Sequence, residues 1–122
     1  MIFFDYFRKT DDKFDAIITF SSVEHSGLGR YGDPLDPNGD LKTMKVIHDR
    51  LKDDGLLIWG APVGPDVLVW NAHRVYGPLR LPLLFKEFRE IDWFFGKTKK
   101  ELFKLEYTGA YKQPVVVLEK IK

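Results

Sequence analysis

Four chemically capable side chains follow one apolar run near the start of the chain. Residues 14–20 (FDAIITF) are mostly apolar, branched or aromatic, and Ser21, Ser22, Glu24 and His25 come directly after them. In open α/β sheets, ligands bind just outside the carboxyl ends of the strands. An imidazole titrates near neutral pH, and a carboxylate binds an amine or orients a donor. The pattern predicts a general base or substrate-orienting pair, Glu24 and His25, at a strand end; the alternative is that both side chains pin the following loop.

A second loop carries cationic and imidazole side chains. His73 and Arg74 lie in a long stretch that follows a second predicted strand. Arg74 and Arg30 would hold a carboxylate or a phosphate through paired donors. The alternative is an arginine that is bonded to loop carbonyls, or to Asp33 or Asp36.

The same side chains raise the question of a metal. Glu24, His25, Asp33 and His73 include two imidazoles and carboxylates, which is the ligand set of non-haem iron sites. No short ligand spacing supports this, so the interpretation assigns no metal, and a metal-dependent enzyme stays an alternative. His48, near the apolar stripe of a predicted helix, is interpreted as a partly buried structural residue.

Residues 27–32 (GLGRYG) match the pattern G-x-G-x-x-G. A dinucleotide-binding fingerprint needs these glycines directly after a strand and directly before a helix. Here residues 21–26 separate them from the strand, and Pro34 and Pro37 prevent a helix from starting there. We therefore predict a tight loop in which glycines adopt positive φ.

The elements that must position these side chains follow from periodicity and turn residues. An apolar stripe at three- and four-residue spacing predicts a helix over residues 39–52, and the turn at 53–55 ends it. Further expected elements are strands at 14–20, 56–60, 90–95 and 114–119, a helix at 78–89, and a short helix that includes Phe3, Phe4 and Phe7. The strand–helix–strand order implies a parallel pair, and the last two strands are expected to be antiparallel.

Bulk composition restricts the class of protein. The 122 residues fit a single domain over 1–122, and the net charge of +1 argues against a nucleic-acid partner. The chain has no cysteine, which excludes disulfides and thiolate metal sites. No stretch is long enough to span a bilayer, and the apolar start is too short for a signal peptide. A cytoplasmic protein without a membrane partner is the expectation.

Three local patterns resemble the C-terminal half of a class I S-adenosylmethionine-dependent methyltransferase. Residues 14–25 resemble the fourth strand of that superfamily, which often reads FD followed by apolar residues and EH. Residues 51–57 (LKDDGLL) resemble the turn before its fifth strand, and residues 73–88 resemble the helix before its sixth. The resemblance implies an α/β fold, a partial Rossmann-like sheet with two parallel strands, a C-terminal antiparallel ribbon and flanking helices.

Residues 21–34 and 71–77 also resemble the domain-of-unknown-function family numbered 268, which is abundant in nematodes. Membership implies a methyltransferase-like fold without a known reaction. On this interpretation Glu24 and His25 are catalytic and Ser21 contacts the cofactor. The substrate-binding candidates are Ser22, Arg30, Tyr31, Asp33, His73, Arg74 and Tyr76.

The resemblance begins only at the fourth strand. The glycine-rich cofactor loop, the acidic ribose-binding strand end and the third strand of the superfamily have no counterpart in the sequence. We therefore expect a truncated methyltransferase-like domain that is inactive alone and that binds little or no S-adenosylmethionine, the cofactor of intact relatives.

A second function class follows from the same half sheet. The first strand would leave an unpaired edge, which favours pairing with a complementing chain or a second copy as a homodimer. On this alternative the chain is a non-catalytic interaction module. The substrate, a small molecule or another acceptor, is not determined by the sequence.

Overall fold

The computed structural model describes residues 12–29, 32, 34–94, 102–104 and 112–122. The predicted helix around Phe3, Phe4 and Phe7 and most of the connection at 97–113 lie outside these residues. In the described part of the chain, no helix is both long enough and apolar enough to cross a membrane.

A four-stranded sheet forms the centre of the described fold. Its four strands are β1 (Phe14–Phe20), β2 (Leu51–Gly60), β5 (Phe88–Phe94) and β6 (Val115–Lys120). A separate two-stranded hairpin consists of β3 (Val67–Val69) and β4 (His73–Val75). The sheet order is β1-β2-β6-β5, and β3 pairs with β4. β1 and β2 are parallel, whereas β6 is antiparallel to both β2 and β5. The predicted parallel pair and antiparallel ribbon are confirmed.

Two helices, α1 (Gly39–Arg50) and α2 (Leu81–Leu84), pack on one face of the sheet. Met44 and Ile47 of α1 meet Leu57 and Trp59 of β2 in a buried core. The opposite face is more open, since Ile18 of β1 is 73% exposed. Side chains alternate across a strand, so β1 contributes to both faces.

The turn predicted at 53–55 lies inside β2 rather than before it. α1 ends at Arg50 and Leu51 already pairs with Phe14, but the next register pair joins Ala16 to Leu56. The extra residues of β2 form a bulge, and Asp54 adopts a φ of 63° there. The helix predicted to reach residue 52 is therefore two residues too long.

The second predicted helix is mostly wrong. Only Leu81–Leu84 are helical, and Phe88 begins β5 instead of ending a helix. The inward side chains were predicted correctly, because Leu81, Leu84 and Phe88 are all buried. Six residues of β5 pair with β6, starting at Phe88, and this ladder replaces the last turn of the predicted helix. The loop predicted at 62–77 contains the β3–β4 hairpin, which the sequence analysis missed.

Two glycines let the loop after β1 cross the start of α1 in close contact. Gly27 has a φ of 81°, and its backbone packs against the backbone of Asp36 and Gly39. The Gly27 carbonyl accepts a hydrogen bond from the Asp36 amide at 2.7 Å. A Cβ on Gly39 would lie 2.8 Å from Gly27 Cα, so neither position has room for a side chain. This crossing fixes the loop that carries the predicted site over α1.

Candidate functional site

The carboxyl end of β1 turns sharply into a short 3₁₀ helix. Ser21 adopts a φ of 51° while its amide still bonds to Gly60 O of β2 at 2.9 Å. A 3₁₀ helix, Val23–His25, follows at once, and Ser22 O accepts the His25 amide at 3.1 Å. The turn places Glu24 and His25 just outside the parallel strand pair, where α/β sheets bind ligands.

The loops that follow β1 and β2 converge at this point. His25 Nδ1 lies 2.5 Å from Ala72 O, in the turn of the β3–β4 hairpin. The rings of His25 and His73 meet edge to face, with centroids 6.1 Å apart. Because the parallel strands β1 and β2 end at the same edge of the sheet, the loops that follow them meet, as these contacts show.

Glu24 is a buried carboxyl beside an imidazole. Its side chain is 2% exposed, and Oε2 lies 3.9 Å from His25 Nε2. Glu24 Oε1 has no hydrogen-bond partner among the described residues. Burial raises the pKa of this carboxyl above its usual value, and backbone N–H groups and His25 oppose the rise in part.

Replacing Glu24 by glutamine is expected to make the protein less sensitive to pH. The folded protein holds the Glu24 proton more tightly than the unfolded chain, so this group contributes most stability below the unfolded pKa of about 4.5. That contribution is lost as the pH rises through the higher folded pKa. Glutamine does not ionise, so the stability of Glu24→Gln relative to the native protein should increase as the pH rises from the unfolded pKa of Glu24 through its folded pKa.

Urea unfolding at several pH values measures this effect. We expect the stability difference between Glu24→Gln and the native protein to grow in the variant's favour from about pH 4 to neutral pH. At the acid end both forms carry a neutral side chain, so that point is an internal control. A difference that stays constant with pH would contradict the burial-driven pKa.

Arg74 fastens the two loops to each other. It is 4% exposed, and its Nη1 donates to Ser26 O at 2.6 Å and, at 3.5 Å, to Glu24 O. Its Nη2 reaches Asp36 O and Pro37 O at 3.5 and 3.4 Å. These contacts match the loop-carbonyl alternative for Arg74 rather than an open anion site.

Asp40 is the centre of a buried polar cluster that the sequence analysis missed. Its carboxylate is fully buried, and Tyr76 donates its hydroxyl to Oδ2 at 2.9 Å. Arg80 donates Nε to Oδ2 at 2.9 Å and Nη2 to Oδ1 at 2.6 Å, and Arg74 Nε lies 3.6 Å from Oδ2. Burial and the nearby Asp40 charge raise the pKa of Tyr76 well above its usual value. Tyr76, a predicted substrate contact, lies in this cluster.

Of the remaining predicted site residues, two serines lie at the end of β1, and the other three lie outside the described residues. Ser21 Oγ donates to Gln113 Oε1 at 2.5 Å, so this hydroxyl faces β6 rather than the imidazole. Ser22 is half-buried and begins the 3₁₀ helix. Arg30, Tyr31 and Asp33 lie outside the described residues.

Three further interpretations of the sequence, a metal site, a glycine loop and a structural His48, can be compared with the fold. Across the described residues, no group of three or more His, Asp or Glu side chains is arranged to hold a metal ion. Gly27, Gly29 and Gly32 all have φ values between 77° and 81°, which confirms the predicted glycine loop. His48 is confirmed as structural: its Nε2 lies 2.7 Å from Ile121 O, and its ring packs on Phe88.

Solved structures with a similar fold include an N-methyltransferase. The N-methyltransferase NodS from Bradyrhizobium japonicum WM9 matches with a TM-score of 0.58 and 13% identity, over 93% of this chain and 54% of NodS. TehB from Haemophilus influenzae matches with a TM-score of 0.52 and 11% identity, over 93% of this chain and 37% of TehB. The chain thus spans about half the length of NodS and less than half the length of TehB. Its fold is methyltransferase-like.

Sequence comparison places the chain more narrowly. No curated protein sequence gave a significant match. A family model described as "Caenorhabditis protein of unknown function, DUF268" matches residues 1–121. The chain belongs to that family.

Proposed function

We propose that this chain supplies the acceptor-substrate side of an S-adenosylmethionine-dependent methyl-transfer site. The single observation that carries the proposal is the Glu24–His25 pair, held at the carboxyl end of β1 on a methyltransferase-like sheet. This is the position at which α/β sheets bind ligands. The acceptor itself, a small molecule or another nucleophile, is left open.

The hydrogen bond of His25 defines how the pair would work. Nδ1 lies 2.5 Å from a carbonyl oxygen, Ala72 O, so in the neutral ring Nδ1 carries the proton and Nε2 is the acceptor. Nε2 faces the Glu24 carboxyl at 3.9 Å. An acceptor N–H or O–H would pass its proton to Nε2, and an ionised Glu24 would stabilise the resulting imidazolium. The His25 side chain is partly exposed and could contact a substrate, whereas the Glu24 side chain beside it is buried.

The described residues do not by themselves fit the cofactor. S-adenosylmethionine, when bound, supplies a methyl group on a positively charged sulfur. The segment after β2, residues 60–62, has no acidic side chain for a ribose, and the described residues hold no glycine turn directly between a strand and a helix. Ser21, the predicted cofactor contact, is bonded to Gln113. We therefore propose that most cofactor contacts come from outside the described sheet, and that this chain alone is inactive.

Isothermal titration of the purified chain with S-adenosylmethionine tests this half-site. We expect no saturable heat at ligand concentrations up to about 1 mM, because the adenosine-binding elements are missing from the described sheet. S-adenosylhomocysteine, which lacks the transferable methyl group, serves as the matched control ligand. Micromolar binding of either ligand would overturn the half-site proposal.

The runner-up function is a non-catalytic interaction module, and the edge of the sheet favours it. Among the described residues β1 pairs only with β2, and its Ile18 and Phe20 are 73% and 55% exposed. Such an edge is a template for a strand from a complementing chain or from a second copy. Light scattering on the same sample distinguishes the two functions, since a monomer that melts cooperatively would weaken the interaction module. A cytoplasmic location stays a prediction.

A further inference from the structure

A concave site that Arg74 lines lies apart from the Glu24–His25 pair. A cavity of about 590 Å³ opens between the loop at 27–37, the β3–β4 hairpin and the start of α2. This volume is within the range of small-molecule sites in proteins, about 300–1,000 Å³. Neither Glu24 nor His25 lines the cavity, so the proposed methyl-transfer site does not account for it.

The walls of this groove are unusually apolar for a surface. Five large side chains line it with more than half of their area exposed: Leu35, Leu68, Trp70, Leu79 and Leu83. They come from three separate segments, so they form one continuous surface only because the chain folds them together. Contiguous exposed apolar surface of this kind marks a binding site, and its burial is favourable by about 25 cal/mol per Å².

The groove also contains one cationic group with unused donors. Arg80 lines it, and its side chain is 29% exposed. Nε and Nη2 of this guanidinium are bonded to Asp40 and Pro37 O, whereas Nη1 makes no hydrogen bond within the described residues. A guanidinium offers five N–H donors, so the Nη1 pair remains available to an anion.

The acidic side chains at the groove are already satisfied. Asp66 accepts the amides of Gly77, Leu79 and Arg80 at 2.9–3.0 Å, which uses both of its oxygens. Asp36 is paired with Lys42 at 2.5 Å. Arg80 is therefore the charged side chain in the groove that has N–H donors left for an anion.

We propose that this groove binds a single apolar chain that ends in a carboxylate, such as a medium-chain fatty acid. The apolar walls bury the hydrocarbon, and the Arg80 Nη1 donors bind the carboxylate end. Charge-assisted bonds from arginine to carboxylates are strong and directional, so the head group selects the ligand orientation. The site is independent of methyl transfer and would persist if that function were disproved.

Decanoate is the probe, with decanol and decyltrimethylammonium as matched ligands of neutral and cationic head group. Trp70 is 71% exposed, so its fluorescence should shift to shorter wavelength on binding, while Trp59 is fully buried already. All titrations stay below the concentration at which each amphiphile aggregates. We expect saturable decanoate binding that is at least about tenfold tighter than that of either matched ligand.

Two variants locate the site. Leu79→Glu places a negative charge on a side chain that is 78% exposed, so it should fold normally and weaken decanoate binding at least about tenfold. The control Ile91→Glu changes a half-exposed apolar side chain on β5 that does not line the groove, and should leave binding unchanged. Arg80→Met should remove the preference for decanoate over decanol; because Arg80 also holds Asp40, its fold is checked by circular dichroism.

Several results would overturn the proposal. Equal affinity for all three head groups would reduce the groove to a non-specific apolar surface. Blue-shifted Trp70 fluorescence on anionic vesicles but not with dissolved decanoate would identify a membrane surface instead. A shift that depends on protein concentration without ligand would identify a second copy of the chain as the occupant.

Discussion

Replacing Asp40 by asparagine should lower the free energy of unfolding by about 3 kcal/mol or more. The Asp40 carboxylate is fully buried and accepts hydrogen bonds from Tyr76 and Arg80, with Arg74 in addition 3.6 Å away. Without the negative charge of Asp40, the nearly buried Arg74 guanidinium keeps its own charge, and its remaining partners are loop carbonyls and the Asp36 carboxylate, which is itself paired with Lys42. Removing one partner of a buried ion pair destabilises a protein far more than the intact pair stabilises it, because the other charge is left buried without its counter-ion.

Urea unfolding of matched variants measures this loss. Asp53→Asn is the control, because Asp53 is 66% exposed and its nearest cation, Lys122, is 3.8 Å away in solvent. That change should alter stability by no more than about 0.5 kcal/mol. Similar midpoints for the two variants would show that the Asp40 cluster does not hold the two loops together.

Replacing Gly27 by alanine should also destabilise the protein strongly. A Cβ at this position would lie 2.1 Å from Asp36 O, a backbone atom that cannot rotate away. The φ of 81° is also unfavourable for alanine by about 1–2 kcal/mol. The loop crossing over α1 would have to open, and with it the Arg74 contacts to Ser26 and Asp36.

Gly32→Ala separates strain from steric conflict. Gly32 has a φ of 80°, but no described atom lies within 4 Å of its Cβ position. Both variants share the backbone strain, so the difference between them measures the conflict at the crossing. We expect Gly27→Ala to be less stable than Gly32→Ala by at least about 2 kcal/mol in thermal or urea unfolding. Equal losses would show that the crossing can relax.

Local patterns in the sequence predicted the half of the fold that carries the imidazole pair. The run at 14–20 is apolar and ends at polar residues, and β1 spans Phe14–Phe20 as expected. The apolar stripe at three- and four-residue spacing predicted the position of α1, and the order strand–helix–strand predicted that β1 and β2 are parallel. Because parallel strands end at the same edge, the meeting of His25 and His73 could also be expected.

Other elements depend on contacts that sequence spacing does not show. Phe88 follows Leu84 at helical spacing, yet pairing with β6 places it in a strand. The hairpin had a usable signal: Asn71, which adopts a φ of 57°, is a typical turn residue that follows the apolar run of β3 and precedes β4. The Asp40 cluster had none, since Tyr76 and Arg80 lie 36 and 40 residues away in the chain.

The position of β6 has a consequence for synthesis of the protein. β6 follows every other described strand along the chain, yet it lies between β2 and β5 in the sheet. A ribosome that has translated β1 to β5 has made both neighbours of this position but not the strand that joins them. The nascent polypeptide therefore presents unpaired edges to chaperones until residues 115–120 leave the exit tunnel. The four-stranded sheet can close only after residues 115–120 have emerged from the ribosome.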